Sequence, residues 1–226
     1  TPPSGWVPPP CNLERTGAFR RVLSKPGSGP SWGLYRYVAF SAQVYLPDPQ
    51  QNEIRIALPN NETAYIYTGG WGEQPGSTVD AGFQYDQLRP WERKWAAFLK
   101  RHGERDPAWY GRPGVGLAAG QYALLQFYVP ADDLVAVRVE GRWTDGWTGR
   151  AESQGITMVS WRADGLYNRL KRVTSIGQRT VNYRSGSYVL GVHWYHTSLG
   201  RSLDARRPWD TSDTAEECNV PPDRVT

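Results

Sequence analysis

Alternation of apolar and polar residues with a period of two is the feature that most constrains the fold of this chain. In residues 34–46, Val38, Val44 and Leu46 occupy one side of the alternation, whereas Tyr35 and Tyr45 occupy the other. Successive side chains of a β-strand point to opposite faces of a sheet. The pattern therefore predicts a strand with one aliphatic face and one tyrosine-rich, polar face.

Further strand candidates follow at short spacing, separated by turn clusters such as Asp145-Gly146. They cover residues 53–58, 63–68, 78–86, 94–101, 121–129, 134–143, 156–162, 177–183 and 188–196. About ten strands in one chain predict two packed sheets or a barrel. Two short segments are helix candidates: residues 91–99, which also fit a strand, and residues 165–171, where Leu166 and Leu170 have helical spacing.

The chain has two cysteines, Cys11 and Cys218, and about 200 residues separate them. Disulfides persist in exported proteins and are rare in cytosolic ones, so the pair predicts a secreted or cell-surface protein whose two ends are joined by a bridge. A bridge over so long a loop stabilises by about 4–5 kcal/mol in a chain-entropy model. The sequence starts without a basic-then-apolar leader, so we expect a mature, processed form.

We predict a single domain over residues 1–226. Residues 1–33 are rich in Pro, Gly and Ser and predict an extended N-terminal arm, residues 34–198 hold the strands, and residues 199–226 predict an irregular C-terminal arm. No run of about 18 apolar residues occurs, so we expect no membrane span. The net charge of +4 is spread without a basic block, which argues against a nucleic-acid partner.

Aromatic residues are unusually abundant, with 11 Trp and 13 Tyr. This exceeds what one core needs and predicts that some rings lie on a working surface. If residues 63–68 and 78–86 are strands, Tyr65 and Tyr67 share one face, and Asp80 and Gln84 share one face. Carboxylates and amides hydrogen-bond sugar hydroxyls, so these residues predict an open polar groove for a glycan. A solvated outer face of the sheet is the alternative.

Tryptophans in predicted loops are further candidates for ligand contacts. Trp143 and Trp147 flank an Asp-Gly turn and predict a platform for a sugar ring or a neighbouring subunit, although the pair could equally close the open end of the sheets. Trp71 lies in a Gly-rich segment. The predicted ligand-binding residues are therefore Tyr65, Tyr67, Trp71, Asp80, Gln84, Trp143 and Trp147.

Residues 79–85, Val-Asp-Ala-Gly-Phe-Gln-Tyr, follow an aromatic strand and a Gly-rich loop and precede residues 91–98. This arrangement resembles the central portion of the secreted bacterial YrpD-type family and, more loosely, the concanavalin A-like jelly roll of lectins and glucanases. The resemblance implies a secreted, all-β, two-sheet antiparallel sandwich. It carries over no catalytic residues, because the activity of that family is not established and the Glu-x-Asp-x-Glu strand of the glucanases is absent.

Catalytic pairs are hard to find in the sequence. Glycoside hydrolysis needs two carboxyl groups about 5 to 9.5 Å apart, and the aspartates of residues 79–86 are too far apart along one strand for a retaining pair. Glu140 fits a surface ion pair with Arg138 better than a catalytic role. His193 and Tyr195 share a strand face and offer a base and an acid for a lyase, but a strand that buries Trp194 and leaves His193 and His196 as ordinary surface histidines explains the segment better.

Metal-binding patterns are also weak. The three histidines form no zinc motif, and both cysteines are assigned to the bridge. We therefore expect no cofactor, with a structural calcium ion at Asp132 and Asp133, or at Asp204, Asp210 and Asp213, as the alternative.

The sequence thus predicts a secreted carbohydrate-binding protein whose partner is a glycan or a cell-surface polysaccharide. The first alternative is a structural subunit of the cell envelope or of an extracellular filament, in which exposed aromatic residues mediate self-association. The second is a polysaccharide lyase or glycoside hydrolase. The sequence does not decide whether the chain is an enzyme, and the lack of a catalytic pair favours binding alone.

Overall fold

The fold is taken from a computed structural model that describes residues 17–25, 39–72, 78–101, 108–109, 115–131, 134–145, 151–161, 167–220 and 224–226. These residues form β-strands joined by turns and three short 3-10 helices. The strands are β1 (Gly17–Ser24), β2 (Ala39–Leu46), β3 (Ile54–Arg55), β4 (Glu62–Gly72), β5 (Val79–Tyr85), β6 (Lys94–Arg101), β7 (Ala108–Trp109), β8 (Val115–Ala118), β9 (Gln121–Ala131), β10 (Leu134–Asp145), β11 (Ala151–Trp161), β12 (Tyr167–Gln178), β13 (Tyr188–Val189), β14 (Trp194–Gly200), β15 (Arg206–Pro208) and β16 (Thr214–Val220). The predicted all-β class is confirmed.

Fourteen strands form one curled antiparallel sheet in the order β15-β14-β2-β9-β10-β8-β6-β5-β4-β12-β1-β16, with β11 paired to β10 and β7 paired to β6. β13 and β3 form a separate two-stranded sheet. The path turns at β10, which pairs with β9 through residues 134–140 and with β8 through residues 143–145. One long strand thus belongs to both halves of the curled sheet.

The curled sheet encloses a hydrophobic core built from one face of most of its strands. Phe40 of β2, Ile66 of β4, Phe83 of β5, Phe127 of β9 and Val137 of β10 all belong to this core and are fully buried. In β4 and β5 these core residues alternate with residues of the opposite face, as the period-two pattern predicts. The side chains that alternate with the core residues of β4, β5, β6, β12 and β1 therefore lie on the outer face of the sheet.

Both predicted arms contain regular structure, so the prediction that they are irregular is wrong for the described residues. β1 lies in the predicted N-terminal arm and pairs with β12 and with β16, and β16 lies in the predicted C-terminal arm. The period-two signal is weak in β1 because it buries residues on both faces, including Phe19 and Val22. Cys218 is buried in β16, whereas Cys11 lies outside the described residues, so the bridge stays a prediction.

Two other local predictions are wrong. The helix predicted for residues 165–171 does not form, because from Tyr167 onwards these residues belong to β12, a central strand that pairs with β4 along one edge and with β1 along the other. Two rows of inter-strand hydrogen bonds outweigh a short helical pattern. Residues 177–183 are not a separate strand, because β12 ends at Gln178 and the chain then turns. No helix in the described ranges has the length and apolar character needed to cross a membrane.

Candidate functional site

Four of the predicted ligand-binding residues lie on the outer face of β4 and β5. Tyr65 is directly opposite Gln84, and Tyr67 is directly opposite Gly82, in the antiparallel register of these strands. Asp80 lies two residues before Gly82 and shares its face. Residues that are directly opposite in an antiparallel pair have neighbouring side chains. The register therefore brings Tyr65, Tyr67, Asp80 and Gln84 together.

The neighbouring strands extend this face in both directions. Across β6, Phe98 is opposite Gly82 and Lys100 is opposite Asp80. Across β12 and β1, Val173 is opposite Tyr67, and Arg21 is opposite Val173. The outer face thus carries parallel rows of aromatic and charged side chains that run across five adjacent strands.

Two glycines let long side chains meet across the strand between them. Gly82 separates Tyr67 from Phe98, and the centroids of these two rings lie 6.4 Å apart. A Cβ at Gly82 would lie 2.3 Å from the carbonyl oxygen of Ile66, so no larger residue fits the present backbone. Gly69 similarly lies between Lys171 and Asp80 in the register, and there Lys171 Nζ approaches Asp80 Oδ1 to 2.5 Å.

These side chains line a cavity of about 350 Å³ on the outer face. Its aromatic wall contains Tyr65, Tyr67 and Phe98, whose rings form two edge-to-face pairs and one tilted pair with centroids 5.9 to 6.5 Å apart. A wider cavity of about 810 Å³ adjoins it, because Tyr65 and Gly177 line both. We call the two cavities together the face groove. Gln84 lines the wider part.

Charged residues surround the aromatic wall of the face groove. The ammonium group of Lys171 lies 5.5 Å from the centroid of the Tyr67 ring, a cation–π distance. Arg21 Nη2 lies 2.7 Å from Glu216 Oε1. Lys100 is exposed and makes no ion pair with any residue in the described ranges. An anionic group on a ligand would therefore meet Lys100 without displacing an existing partner.

The surroundings of Tyr65 further favour the neutral form of its phenol. Burial raises the pKa of Tyr65 above its ordinary value of 10.0, although a hydrogen bond with Thr63 acts in the opposite direction. At neutral pH the group therefore serves as a hydroxyl donor or acceptor and not as a base.

A buried carboxylate, Glu62, fixes the wall of the wider cavity. Its oxygens accept hydrogen bonds from the Leu58 N–H at 3.1 Å, from Gln178 Nε2 at 2.6 Å and from the Ser187 hydroxyl. Burial alone would raise the pKa of Glu62, but hydrogen bonds from Ser185, Ser187, Gln178 and the Leu58 N–H outweigh burial and lower it. Glu62 is 1% exposed and has several donors, so its geometry is that of a structural carboxylate.

Of the three tryptophans predicted to bind a ligand, the structure describes the side chain of one. Trp143 is 2% exposed, lies in the hydrophobic core and donates its indole N–H to the carbonyl of Gln154 at 3.1 Å. The prediction that Trp143 stacks on a ligand is therefore wrong, because its ring fills the interior near the turning point of the sheet. The Trp71 side chain and all of Trp147 lie outside the described residues.

The alternative catalytic residues lie elsewhere. Arg138 and Glu140 form the predicted ion pair on β10. His193 and Tyr195 lie with their ring centroids 5.7 Å apart, and His193 Nδ1 lies 3.0 Å from the Tyr122 hydroxyl. Tyr122 and Tyr195 are each 49% exposed, so these two rings lie on an open surface, whereas His193 also lines a separate small cavity.

Of the predicted calcium ligands, Asp210 and Asp213 are engaged in other contacts, whereas Asp204 is exposed. Asp210 accepts a hydrogen bond from the Ser212 N–H at 2.7 Å and caps a short helix, whereas Asp213 pairs with Arg207. Asp132 and Asp133 lie outside the described residues. Within the described part of the chain, no group of three or more His, Cys, Asp or Glu side chains is placed to hold a metal ion.

Sequence reasoning missed Phe98, Lys100 and Arg21 as residues of the face groove, and it missed Lys171 beside Tyr67 and Asp80. Each lies in a strand of ordinary alternation, and what brings them to Tyr67 and Asp80 is the register between strands. It also missed the exposure of Trp91, which is 72% exposed and lies three positions after Leu88, a residue of the wider cavity. A lone Trp beside Pro90 at the start of a predicted helix or strand gave no signal of exposure.

No family model matches this chain, and no curated protein matches it. Among solved structures it is similar to scytalido-glutamic peptidase with a transition state analog inhibitor, at 12% identity and a TM-score of 0.49 over 88% of this chain and 90% of that one. It is also similar to SCP-B, a member of the Eqolisin family of peptidases in a complex with the tripeptide Ala-Ile-His, at 10% identity and a TM-score of 0.43 over 85% and 86% of the two chains. Likeness this weak assigns neither a family nor an activity.

Proposed function

We propose that this chain is a secreted carbohydrate-binding protein that holds a polysaccharide in the face groove. In this proposal the curled sheet forms a two-sheet sandwich of the jelly-roll type, and Cys11 and Cys218 form a disulfide that joins the two ends. The observation that carries the proposal is the aromatic wall of Tyr65, Tyr67 and Phe98 next to charged and amide side chains in two adjoining cavities.

The chemistry of the groove suits a sugar polymer. Aromatic rings offer apolar faces to the C–H faces of pyranose rings, while Asp80 and Gln84 supply the acceptors and donors that sugar hydroxyls require. Lys100 adds an exposed cation and favours a polysaccharide with carboxylate or sulfate groups. Two cavities that share Tyr65 suit an extended chain better than a single small molecule.

The direct test is isothermal titration of the protein with neutral and acidic polysaccharides, together with the variant Tyr67→Ala. We expect an acidic polysaccharide to bind, and we expect Tyr67→Ala to weaken binding by at least about 5-fold, the equivalent of about 1 kcal/mol of lost stacking. The matched control is Tyr122→Ala, which removes an exposed ring that does not line the face groove. Equal affinity of both variants, or binding of unfolded polypeptides in place of polysaccharides, would overturn the proposal.

Lys100→Gln tests the preference for acidic sugars separately. We expect this variant to weaken binding of the acidic polysaccharide, and to flatten its dependence on salt, while binding of a neutral one stays unchanged. Assays for reducing ends and for unsaturated uronates on the same samples would detect cleavage and favour an enzyme. Light scattering of the unliganded protein addresses the structural-subunit alternative, for which concentration-dependent assembly is expected.

A further inference from the structure

A second cavity, of about 210 Å³, lies on the other face of β1 and β12 from the face groove. Arg20 and Arg172 line it, and these residues alternate in sequence with Arg21 and Val173 of the face groove. Successive strand residues point to opposite faces, so the two cavities are separated by the sheet itself. The segment that leads into β14 closes the second cavity with Val192, His193 and Trp194.

The guanidinium of Arg172 is withdrawn from water and incompletely satisfied. Its Nε atom is buried without a hydrogen-bond partner, and its Nη1 atom makes one long hydrogen bond of 3.4 Å to the Thr197 hydroxyl. The guanidinium carbon lies 5.3 Å from the centroid of the Trp209 ring. Burial lowers the pKa of Arg172, Glu217 acts in the opposite direction, and Arg20 lowers it further.

No carboxylate of the described residues forms an ion pair with Arg172. The charge of Glu217 favours the charged form of Arg172, but Glu217 Oε1 lies 3.5 Å from Arg20 Nη2 in a pair whose side chains are 44% and 61% exposed. The charged side chains that line the cavity are the guanidinium groups of Arg20 and Arg172 and the carboxylate of Glu217, and Thr174, His193 and Thr226 add further polar groups. Burying a cation without a close partner costs free energy, and folding has already met this cost for Arg172. An anion that enters the cavity therefore interacts with a guanidinium group that needs no further desolvation.

We propose that this cavity binds a small organic carboxylate, with Arg172 as its main anion contact. Arg20 lies at the exposed side of the cavity and contributes the second cation. Val192 and Trp194 offer apolar surface for the rest of the ligand, which distinguishes an organic acid from a free inorganic ion. The proposal is independent of the face groove and of what that groove binds.

The test is isothermal titration of the full chain with benzoate, and with benzamide as the neutral molecule of the same shape. We expect saturable binding of benzoate, and binding of benzamide weaker by at least about 10-fold, because only the anion profits from Arg172. Acetate and sulfate carry negative charge without an aromatic ring, so they measure the contribution of the charge without that of the apolar contact. We expect both to bind more weakly than benzoate. Equal binding of benzoate and benzamide, or no binding of benzoate at millimolar concentration, overturns the proposal. Sulfate binding tighter than that of benzoate overturns the assignment to an organic acid.

Arg172→Gln should reduce the affinity for benzoate by about 10-fold or more, and Arg20→Gln by a smaller factor. The matched control is Arg21→Gln, which removes the neighbouring guanidinium on the opposite face and should leave the affinity unchanged. Tryptophan fluorescence of each variant reports whether it is folded. If Arg172→Gln does not fold, the half-exposed Arg20 decides the matter: an unchanged affinity in Arg20→Gln contradicts the proposal.

Discussion

Replacing Glu62 by Gln tests how the wall of the face groove is built. The carboxylate accepts hydrogen bonds from Leu58, Gln178 and Ser187, and it has no hydrogen to donate. An amide of the same shape replaces one acceptor oxygen by an NH₂ group. At least one of the three donors then faces another donor, in a place that is 1% exposed.

The size of the effect follows from these contacts. A hydrogen bond to a charged acceptor contributes about 1.5–3 kcal/mol, and a buried donor left without a partner costs about 1–3 kcal/mol. The variant also removes a buried charge, which offsets part of the loss. We therefore expect Glu62→Gln to lower the free energy of unfolding by about 2–3 kcal/mol at neutral pH. In a protein of this size this corresponds to a decrease in Tm of about 5 to 10 °C.

The effect should depend on pH in a defined direction. The pKa of Glu62 lies below its ordinary value of 4.5 in the folded protein. The unfolded state therefore binds the proton first, and the stabilisation is present above the unfolded pKa and is lost as the pH falls through the folded pKa. The difference between wild type and Glu62→Gln should shrink as the pH is lowered from about 7 to about 3.5.

Urea unfolding followed by tryptophan fluorescence at several pH values measures both quantities. Asp204→Asn is the control, because Asp204 is exposed and should change the free energy of unfolding by less than about 0.5 kcal/mol. A Glu62→Gln variant as stable as wild type at neutral pH would refute the reasoning. A difference that stays constant, or grows, towards acid pH would do the same.

Three further predictions concern the core, the strand register and alkaline pH. Phe127→Ala should lower the free energy of unfolding by about 3–5 kcal/mol in urea, since Phe127 is fully buried, and a loss below about 1 kcal/mol would contradict its place in the core. Gly82→Ala should cost about 1–3 kcal/mol and speed amide exchange in β4 and β5, because its Cβ meets the Ile66 carbonyl; unchanged exchange would contradict the close approach. Burial and a hydrogen bond to Glu53 raise the pKa of Tyr45 to about 12. The wild-type protein should therefore lose stability as the pH rises from 10.0 through about 12, and Tyr45→Phe should lose less. Equal losses of stability in the two proteins would argue against the shifted pKa.

The faces of single strands could be predicted from the sequence, whereas their neighbours could not. The alternation in residues 79–85 correctly places Val79 and Phe83 in the core, with Asp80 and Gln84 on the other face. The strand predicted over residues 94–101 has the bounds of β6. Alternation is a local property of the backbone, so it can be predicted without knowing which strands are the partners.

Register is a non-local property, and it decides which side chains form the face groove. The meeting of Tyr67 with Phe98 depends on β5 lying between β4 and β6, and that of Asp80 with Lys171 depends on β4 pairing with β12. A shift by one residue would turn each side chain to the opposite face. The same limit explains Trp143, whose burial results from the turning point of the sheet and not from its own flanking residues.

The position of β1 has a consequence for how the chain reaches its native state. Both hydrogen-bonding partners of β1, β12 and β16, come from the last third of the sequence. During synthesis β1 emerges early and must wait for nearly the entire polypeptide before it can pair. Such distant pairing slows folding and leaves an apolar strand available for aggregation in the meantime, so a chaperone that holds nascent chains should raise the yield of this protein.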